Sequence, residues 1–287
     1  MPVHVEEDAG VLVSAVVDAR PDLVVVSPGI PAHHPIFTAC QDAGIDLWGE
    51  VELAWRLQEE GPHAGRPWLT VTGTNGKTTT VGMLGEILRA SGVEAEEVGN
   101  IGTPITRAID SDAEVFAVEL SSFQLHTART VRPLASVCLN VDADHLDWHG
   151  SVEAYAADKA RVYENTLRAC VYPASDRRIE AMVENADVVE GARAIGLTLG
   201  APAVSQFGIV DGLLVDRAFV DMPSLLPVFQ TWLRHTGITP LRLFFRTRWL
   251  QLPWRVPTVL NLRPWRAACV LSDPPGIVAQ LSRVPRI

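Results

Sequence analysis

The sequence has few cysteines: there are four among 287 residues, and no two of them form a Cys-x-x-Cys pair. This scarcity argues against a disulfide framework and a structural zinc site, and it suits a reducing cytosol. The sequence also lacks an uninterrupted apolar run of about 18 residues, so it predicts no transmembrane helix. Its first ten residues are acidic and do not have the basic-then-apolar order of a signal peptide.

Charge is unevenly distributed along the chain. Residues 1–223 have a net charge of −18, whereas residues 224–287 contain nine arginines, one acidic residue (Asp273), no Lys and no Glu, for a net charge of +8. The acidic part offers no obvious surface to nucleic acid. The eight prolines of residues 224–287 break any long helix. This segment has three interpretations: a nucleic-acid tail with stacking tryptophans, a membrane-surface segment, or a GC-rich gene translated out of frame, which the composition favours.

Strands alternate with helices over the first 223 residues, which predicts an α/β fold with a mostly parallel, doubly wound sheet. Strands are expected at residues 22–27, 68–72, 115–120, 136–141 and 170–172, and helices at residues 35–44, 49–60, 78–90 and 151–168. A Gly- and Pro-rich linker at residues 61–67 predicts a first domain at residues 1–62 and a second at 63–223. Residues 224–287 are not expected to form a folded family domain.

The strongest motif is a glycine-rich loop at residues 72–80, TGTNGKTTT, between a predicted strand and a predicted helix. Such a loop brings backbone N–H groups and a helix N-terminus to a phosphate group. Lys77 is expected to neutralise the β- and γ-phosphates, and the Thr78 hydroxyl to hold Mg²⁺. The pattern departs from GxxxxGK[ST] because residue 71 is Val, and a glycine turn with an exposed lysine is the alternative. The expected ATP-binding residues are Gly73, Thr74, Asn75, Gly76, Lys77, Thr78 and Thr79.

Other residues have weaker signals of their own. Glu119 ends a predicted strand, where it could ligate Mg²⁺ or be an ordinary acidic residue. His145 lies among several acidic residues, which suggests metal or acid–base chemistry, or else a solvated acidic loop. Lys159, in the middle of a predicted helix, is from sequence alone an exposed lysine. Ser27 and Gly29 follow a strand, where α/β sheets bind ligands.

Seven motifs occur along the chain: GTNGKTTT (73–80), ELSSFQL (119–125), GNIG (99–102), NVDADHLD (140–147), DKARVYE (158–164), SPGI (27–30) and WGEVEL (48–53). Together these motifs resemble the Mur ligases and the related folylpolyglutamate synthases. The resemblance extends over residues 11–221, and within the family ELSSFQL looks like the members that add D-glutamate.

The resemblance implies a P-loop ATPase-like sheet preceded by a partial Rossmann-like domain. It also implies ATP-dependent ligation of D-glutamate to UDP-N-acetylmuramoyl-L-alanine through an acyl phosphate, with ATP and Mg²⁺ as cofactors. The expected enzyme is a cytoplasmic monomer of peptidoglycan precursor synthesis, and so of cell-wall biogenesis, cell shape and cell division, with no nucleic-acid or membrane partner.

Site residues are carried over one by one from the family motifs. Lys77, His145 and Lys159 are implied to be catalytic. Mg²⁺ is expected at Thr78, Glu119, His145 and Lys159, with Lys159 carbamylated by CO₂ so that it bridges two ions. Ser27, Gly29 and Asn100 are expected to hold the UDP-linked substrate. Ser121, Ser122 and Gln124 are candidates for hydrogen bonds near the metal, whereas His149 has no such support and is expected at the surface.

The sequence also departs from the family pattern. The family's first strand with its glycine-rich loop, its later His-Asn helix and its D-glutamate-binding C-terminal domain have no counterparts. We therefore expect a chain truncated at both ends, with an aberrant C-terminal tail, exposed apolar sheet faces, marginal stability and no ligase activity as it stands. The alternative function is a non-catalytic ATP-binding remnant or interaction module, and a generic P-loop ATPase is a third possibility.

Overall fold

The computed structural model describes residues 3–6, 9–219, 224–226, 268–271 and 277–282, which form two β-sheets with helices against them. Residues 224–287 are described only in three short strands. The predictions about the rest of that segment therefore lie outside the described residues. Within the described part of the chain, no helix has the length and apolar character needed to cross a bilayer.

The larger sheet has nine strands, of which seven are parallel. In chain order they are β4 Trp68–Thr72, β5 Ala95–Gly99, β6 Val115–Glu119, β7 Ala135–Cys138, β8 Ala169–Pro173, β9 Arg193–Leu197, β10 Gln206–Val210, and the antiparallel β11 Leu213–Asp216 and β12 Ser224–Leu226. Their order in the sheet is β12-β11-β10-β9-β8-β7-β4-β6-β5. Since β5 and β6 lie on one side of β4 and the next strand, β7, lies on the other, the end of β4 is a topological switch point, where such sheets bind ligands.

The smaller sheet combines strands from both ends of the chain. Its strands are β1 Val3–Glu6, β2 Leu23–Val26, β3 Asp46–Gly49, β13 Ala268–Leu271 and β14 Ile277–Ser282. They are ordered β1-β14-β13-β2-β3, and β13, β2 and β3 are parallel. This sheet carries two helices, α1 Ala9–Ala19 and α2 Ile36–Ala43.

The remaining helices accompany the larger sheet. They are α3 Glu50–Glu60, α4 Lys77–Ala90, α5 Ile105–Ala108, α6 Ser122–His126, α7 Leu146–His149, α8 Val152–Ala160 and α9 Arg177–Asn185. The helix predicted at residues 151–168 is shorter than expected. Ser151 caps it through a bond from the Ala154 N–H, but α8 ends at Ala160 and continues as a 3₁₀ turn that places Tyr163 in the core. There the Tyr163 hydroxyl donates to the Val171 carbonyl.

Helix α3 connects the smaller sheet to the core of the larger one. Trp55 of α3 meets Trp68 of β4 edge-on, with ring centroids 5.1 Å apart. The Trp68 indole N–H donates to the Gln58 side chain at 2.9 Å, and Phe116 is fully buried beside it. Burying these aromatic side chains fixes the position of α3 against β4 and β6.

An apolar groove of about 490 Å³ lies on one face of the larger sheet, beside α4. It offers a nucleotide almost no hydrogen-bonding groups, and Met83 and Leu197 at its walls are 54% and 42% exposed. An exposed apolar sheet face was expected from the sequence, and marginal stability stays a prediction. The lining includes Met83, Leu84, Ile87, Val137, Val171 and Leu197.

The buried carboxylate of Glu52 joins α3 to the segment after α6 by hydrogen bonds. Glu52 is fully buried and accepts bonds from the backbone N–H groups of Arg129 and Thr130, at 2.8 and 2.9 Å. The Thr130 hydroxyl and the Arg56 guanidinium donate to it as well. Burial by itself raises the pKa of Glu52, but the hydrogen bonds from Thr130, Arg129 and Arg56 outweigh it and hold the pKa below its usual value.

We expect Glu52→Ala to lower the free energy of unfolding by about 3 kcal/mol, because it leaves buried donors without an acceptor. Glu86→Ala, which removes an exposed ion pair with Arg89, is the matched control and should cost well under about 1 kcal/mol. Because the pKa of Glu52 is lowered on folding, its contribution is present above pH 4.5 and is lost as the pH falls through the lowered value. Urea denaturation at pH 7 and pH 4 measures both effects, and equal losses for the two variants would contradict the assignment.

Candidate functional site

The loop that follows β4 changes direction at two glycines. Gly73 has a φ of 154° and Gly76 a φ of 84°, in the left-handed region that favours glycine. A Cβ on Gly73 would also lie 3.0 Å from the Cβ of Leu139. Helix α4 begins directly after Gly76, and its first backbone N–H groups have no acceptor within the helix. The predicted strand–loop–helix arrangement is therefore present, with helix donors at the loop.

Asn140 holds this loop from the end of the neighbouring strand. Its side-chain carbonyl accepts from the Asn75 N–H at 2.8 Å, and its side-chain amide donates to the Asn75 carbonyl at 3.0 Å. Its backbone carbonyl accepts from the Thr74 N–H at 3.0 Å. These bonds explain why β7 ends at Cys138 rather than at the predicted Val141: the chain leaves the sheet to contact the loop.

Two lysines meet at one backbone carbonyl of the loop. The Lys77 ammonium donates to the carbonyls of Gly73 and Thr74, at 2.9 and 3.0 Å. The Lys159 ammonium donates to the same Gly73 carbonyl at 2.8 Å. These are the chain's two lysines. Their convergence concentrates positive charge where the N-terminus of α4 already favours an anion.

Lys159 is buried, which corrects the view from sequence alone that it is an exposed lysine. Its exposure is 2%, because α8 packs against the loop and the Lys159 ammonium lies over the Tyr155 ring at 4.8 Å. Burial, followed by the positive charge of Lys77, lowers the pKa of Lys159 to about 8. A neutral amine is therefore accessible at this position near neutral pH.

Glu119 and Asn100 meet at the ends of two adjacent strands. Glu119 pairs with Val71 across β6 and β4, directly before the loop, and is buried. The Asn100 side-chain amide donates to its carboxylate at 3.1 Å. Gly99 has a φ of 116°, and a Cβ there would lie 2.1 Å from the Glu119 carbonyl oxygen, so only glycine permits this approach. The predicted metal ligand and one predicted substrate residue thus lie together.

His145 lies near Tyr155, which in turn contacts the loop. Its backbone has a φ of 51°, and its N–H donates to the Asp144 carboxylate at 2.9 Å. The half-exposed ring lies 4.8 Å from the Phe123 ring and 6.5 Å from that of Tyr155. The Tyr155 hydroxyl in turn lies 2.9 Å from the Thr74 hydroxyl of the loop.

Thr78 and Glu119 supply the oxygen donors that Mg²⁺ prefers. Thr78 is exposed in the first turn of α4. Among the described residues, no group of three or more His, Cys, Asp and Glu side chains is placed to hold a metal. Lys159 as an ammonium repels a cation, and it offers oxygen ligands only as a carbamate. Thr78 and Glu119 therefore have the donor type that suits Mg²⁺, and phosphate oxygens and water would be needed to complete its coordination.

Ser27 and Gly29 lie at the carboxyl end of β2, in the smaller sheet. The Gly29 N–H donates to the Ser27 hydroxyl at 3.3 Å, which forms a local turn. No hydrogen bond described for these two residues joins them to the phosphate loop. Glu50, the first residue of α3 directly after β3, instead accepts a hydrogen bond from the Gln124 side-chain amide of α6 at 2.5 Å.

The other predicted hydrogen-bonding residues of α6 have structural partners. The Ser121 hydroxyl accepts from the Gln124 N–H, and the Gln124 side chain accepts from the Ser121 N–H, which forms a capping box. The Ser122 hydroxyl lies 2.9 Å from the ring of His149. Ser121, Ser122 and Gln124 therefore fix α6 beside the site.

The prediction that His149 lies at the surface is wrong. Its side chain is fully buried, and Nδ1 lies 2.9 Å from the Asp158 carboxylate. A sequence pattern could not have identified this contact, because His149 and Asp158 belong to two different short helices whose packing decides it. Tyr155 and Asn140 were missed as site residues for the same reason.

Comparison with known proteins identifies the family to which this sequence is similar. Residues 71–203 match the Mur ligase middle domain. The UDP-N-acetylmuramoylalanine–D-glutamate ligase of Streptomyces coelicolor is 55% identical over 202 residues, covering 70% of this chain and 43% of that protein. The ligase of the same name from Leifsonia xyli is 51% identical over 213 residues, covering 70% of this chain and 41% of the relative.

The chain spans less than half the length of the curated relatives that it matches. Among solved structures, a UDP-N-acetylmuramoyl-L-alanyl-D-glutamate–2,6-diaminopimelate ligase is 18% identical, with a TM-score of 0.46, covering 67% of this chain and 50% of that chain. The match to the middle domain and the identity of about half to the D-glutamate ligases agree with the glycine-rich loop and its two lysines. The chain therefore belongs to the Mur ligase family, through its middle domain.

Proposed function

We propose that this chain binds ATP at the loop between β4 and α4, as part of a ligase that joins D-glutamate to UDP-N-acetylmuramoyl-L-alanine. The observation that supports this most is the convergence of Lys77 and Lys159 on the Gly73 carbonyl. Two ammonium groups and a helix N-terminus at one loop form a site for a polyphosphate. The two substrates are those in the names of the relatives, which are UDP-N-acetylmuramoylalanine–D-glutamate ligases.

The reaction has two steps. A carboxylate oxygen of UDP-N-acetylmuramoyl-L-alanine attacks the γ-phosphorus of ATP, the bond from that phosphorus to the bridging oxygen breaks, and ADP leaves. The amine of D-glutamate then attacks the carbonyl carbon of the acyl phosphate and loses a proton, and inorganic phosphate leaves. Both steps depend on positioning and charge neutralisation rather than on a protein nucleophile.

The groups of the loop have different roles in binding ATP and in phosphoryl transfer. The backbone N–H groups from Gly73 to Thr79 hold the phosphates, and Lys77 turns from the Gly73 and Thr74 carbonyls to the β- and γ-phosphate oxygens. The Lys77 charge opposes the negative charge that develops as the γ-phosphoryl group is transferred. Mg²⁺, held by Thr78 and Glu119, supplies further neutralisation of phosphate charge when bound.

Lys159 has a second role in this proposal. Carbamylation requires a neutral amine that attacks the carbon of CO₂ and releases a proton, and the lowered pKa of Lys159, about 8, provides such an amine. The product is an anion with two oxygen atoms, able to serve as a metal ligand beside His145. The buried position of Lys159 excludes bulk water from that group.

The substrate residues and the setting are also proposals. Ser27 and Gly29, at the end of β2, and Asn100, beside Glu119, would hold the UDP-linked substrate between residues 1–62 and the ATP-binding part, residues 63–223. Reaction in the cytoplasm by a monomer, in the service of cell-wall biogenesis, shape and division, agrees with an ATP-dependent step. It also agrees with the three free, buried cysteines among the described residues.

The test is ADP release by this chain with ATP, Mg²⁺, UDP-N-acetylmuramoyl-L-alanine and D-glutamate, next to direct ATP binding by calorimetry. ADP that appears only with both substrates supports the ligase. ATP binding without substrate-dependent ADP supports the non-catalytic remnant instead. ADP release that needs neither substrate indicates a generic ATPase, and absence of ATP binding overturns the proposal.

A further inference from the structure

His149 uses both ring nitrogens inside the protein. Nδ1 lies 2.9 Å from the Asp158 carboxylate, and Nε2 lies 2.9 Å from the Ser122 hydroxyl. Because a carboxylate only accepts hydrogen bonds, the Nδ1–H donates to Asp158, and Nε2 then accepts from the Ser122 hydroxyl. The ring is fixed at both ends, as a neutral imidazole permits.

This hydrogen-bonded chain connects three short helices. Ser122 is the first residue of α6, His149 the last of α7, and Asp158 lies in α8. Asp158 also accepts from His126, at the last position of α6, with distances of 2.9 and 3.0 Å. Helix α6 is thus bonded to α8 directly through His126 at one end and by way of His149 at the other. The His149 and Asp158 side chains are buried, and that of His126 is 25% exposed.

The network lies next to two side chains of the candidate site, those of His145 and Lys159. Phe123, next to Ser122, stacks on the His149 ring at 5.5 Å and contacts the His145 ring at 4.8 Å. Lys159, next to Asp158, donates to the Gly73 carbonyl. Helices α6 and α7 have five and four residues, too few to be stable without tertiary contacts.

The order Ser122–His149–Asp158 is also that of a nucleophilic triad. Ser122 is only 2% exposed, so no substrate can reach its hydroxyl, and the arrangement cannot act as one. Its polar groups instead satisfy one another inside the protein, and such a network rigidifies the elements that it joins.

We propose that Ser122, His149 and Asp158 are positioning residues that place His145 and Lys159 at the phosphate loop. The inference rests on the proposed function in taking this loop as the nucleotide site. Residues that orient metal ligands typically change metal affinity by about 10- to 100-fold when they are replaced. Loss of the network should therefore weaken the metal-dependent part of ATP binding and leave the metal-free part, which the loop provides.

The experiment compares Ser122→Ala with Ser136→Ala. Both serines are 2% exposed, and both hydroxyls make buried bonds of 2.9 Å, those of Ser136 being to Thr70 of β4 and to Thr166, which precedes β8. The two changes remove the same atom from buried networks, but only Ser122 is bonded to His149. We expect the gain in ATP affinity on adding Mg²⁺ to fall several-fold in Ser122→Ala and to stay unchanged in Ser136→Ala.

Replacing His149 removes more hydrogen bonds from the network than Ser122→Ala does, and a larger effect is expected. His149→Phe keeps the ring against Phe123 but removes both hydrogen bonds, and we expect a loss of about tenfold in the metal-dependent gain. His149→Gln, whose amide both donates and accepts, should restore part of it. Equal behaviour of Ser122→Ala and Ser136→Ala, or no effect of His149→Phe, overturns the inference.

A second measurement separates this inference from the proposed function. Since the chain has two lysines, protein labelled with [ε-¹³C]lysine gives two resonances, and that of Lys159 reports its environment without nucleotide. We expect His149→Phe to shift the Lys159 resonance and Ser136→Ala to leave it in place. If the native chain binds no ATP, the proposed function fails, and an unshifted Lys159 resonance in His149→Phe then overturns the positioning role as well.

Discussion

Replacing Lys77 by methionine is expected to lower the affinity of the chain for ATP by about 100-fold, because two charge-assisted contacts to phosphate are lost. Lys77 lies in the first turn of α4, and its ammonium donates to two loop carbonyls, at 2.9 and 3.0 Å. The fold depends little on it, so the variant should unfold at nearly the same denaturant concentration as the native chain. Calorimetric titration with ATP measures the affinity.

The control is Arg89→Met, in the last turn of the same helix. Arg89 makes ion pairs with Glu86 and Glu97 at the surface, and it has no part in the loop. This variant removes a positive charge from α4 without touching the nucleotide site, so its ATP affinity should remain within about twofold of the native value. A comparable loss in both variants would show that general charge, not the Lys77 contact, governs binding.

Lys159 is expected to titrate near pH 8. The NMR resonance of Lys77, the other lysine of the chain, serves for comparison. Burial and the charge of Lys77 lower the pKa of Lys159 from 10.5 to about 8. A titration followed by ¹³C NMR on [ε-¹³C]lysine-labelled chain, without nucleotide, metal or CO₂, measures it. Lys159→Met assigns the signal by removing one resonance. A Lys159 midpoint above pH 10 would contradict the burial argument.

The same shift has a consequence for stability. Between pH 8 and 10.5 the unfolded chain binds a proton at Lys159 that the folded chain has released, so folding becomes more favourable as the pH rises. The gain is complete above pH 10.5 and is lost as the pH falls through 8. We expect Lys159→Met to lack it, so that its stability relative to the native chain declines by about 3 kcal/mol from pH 7 to pH 11.

The native chain is compared with Lys159→Met because other groups of the chain also titrate at high pH. Burial raises the pKa of Cys170 to about 11 and that of Cys138 to about 12. Cys170 is the same in both chains, whereas the pKa of Cys138 also depends on the charge of Lys159. The difference between the two urea denaturation curves therefore reports Lys159 together with its effect on Cys138. A difference that stays constant with pH would contradict a buried, charged Lys159.

The sequence located the elements of the larger sheet well where the signal is local. Strand β4, the glycine turn and helix α4 were expected from a β-branched run, two glycines and a helix-forming segment, and they lie within a residue or two of the predicted bounds. The predicted helix at residues 151–168 was too long. There a tertiary contact prevailed over helical propensity, because Tyr163 enters the core in a 3₁₀ turn.

By itself, the sequence determined the α/β class, the phosphate loop and the family, since each is recognised from patterns that lie within short stretches of the chain. Only the tertiary structure decided that Lys159 is buried beside Lys77, that Asn140 fastens the loop, and that His149 is enclosed by Ser122 and Asp158. These groups come from separate helices and strand ends, and their burial, pKa and hydrogen bonds depend on packing that no local pattern encodes.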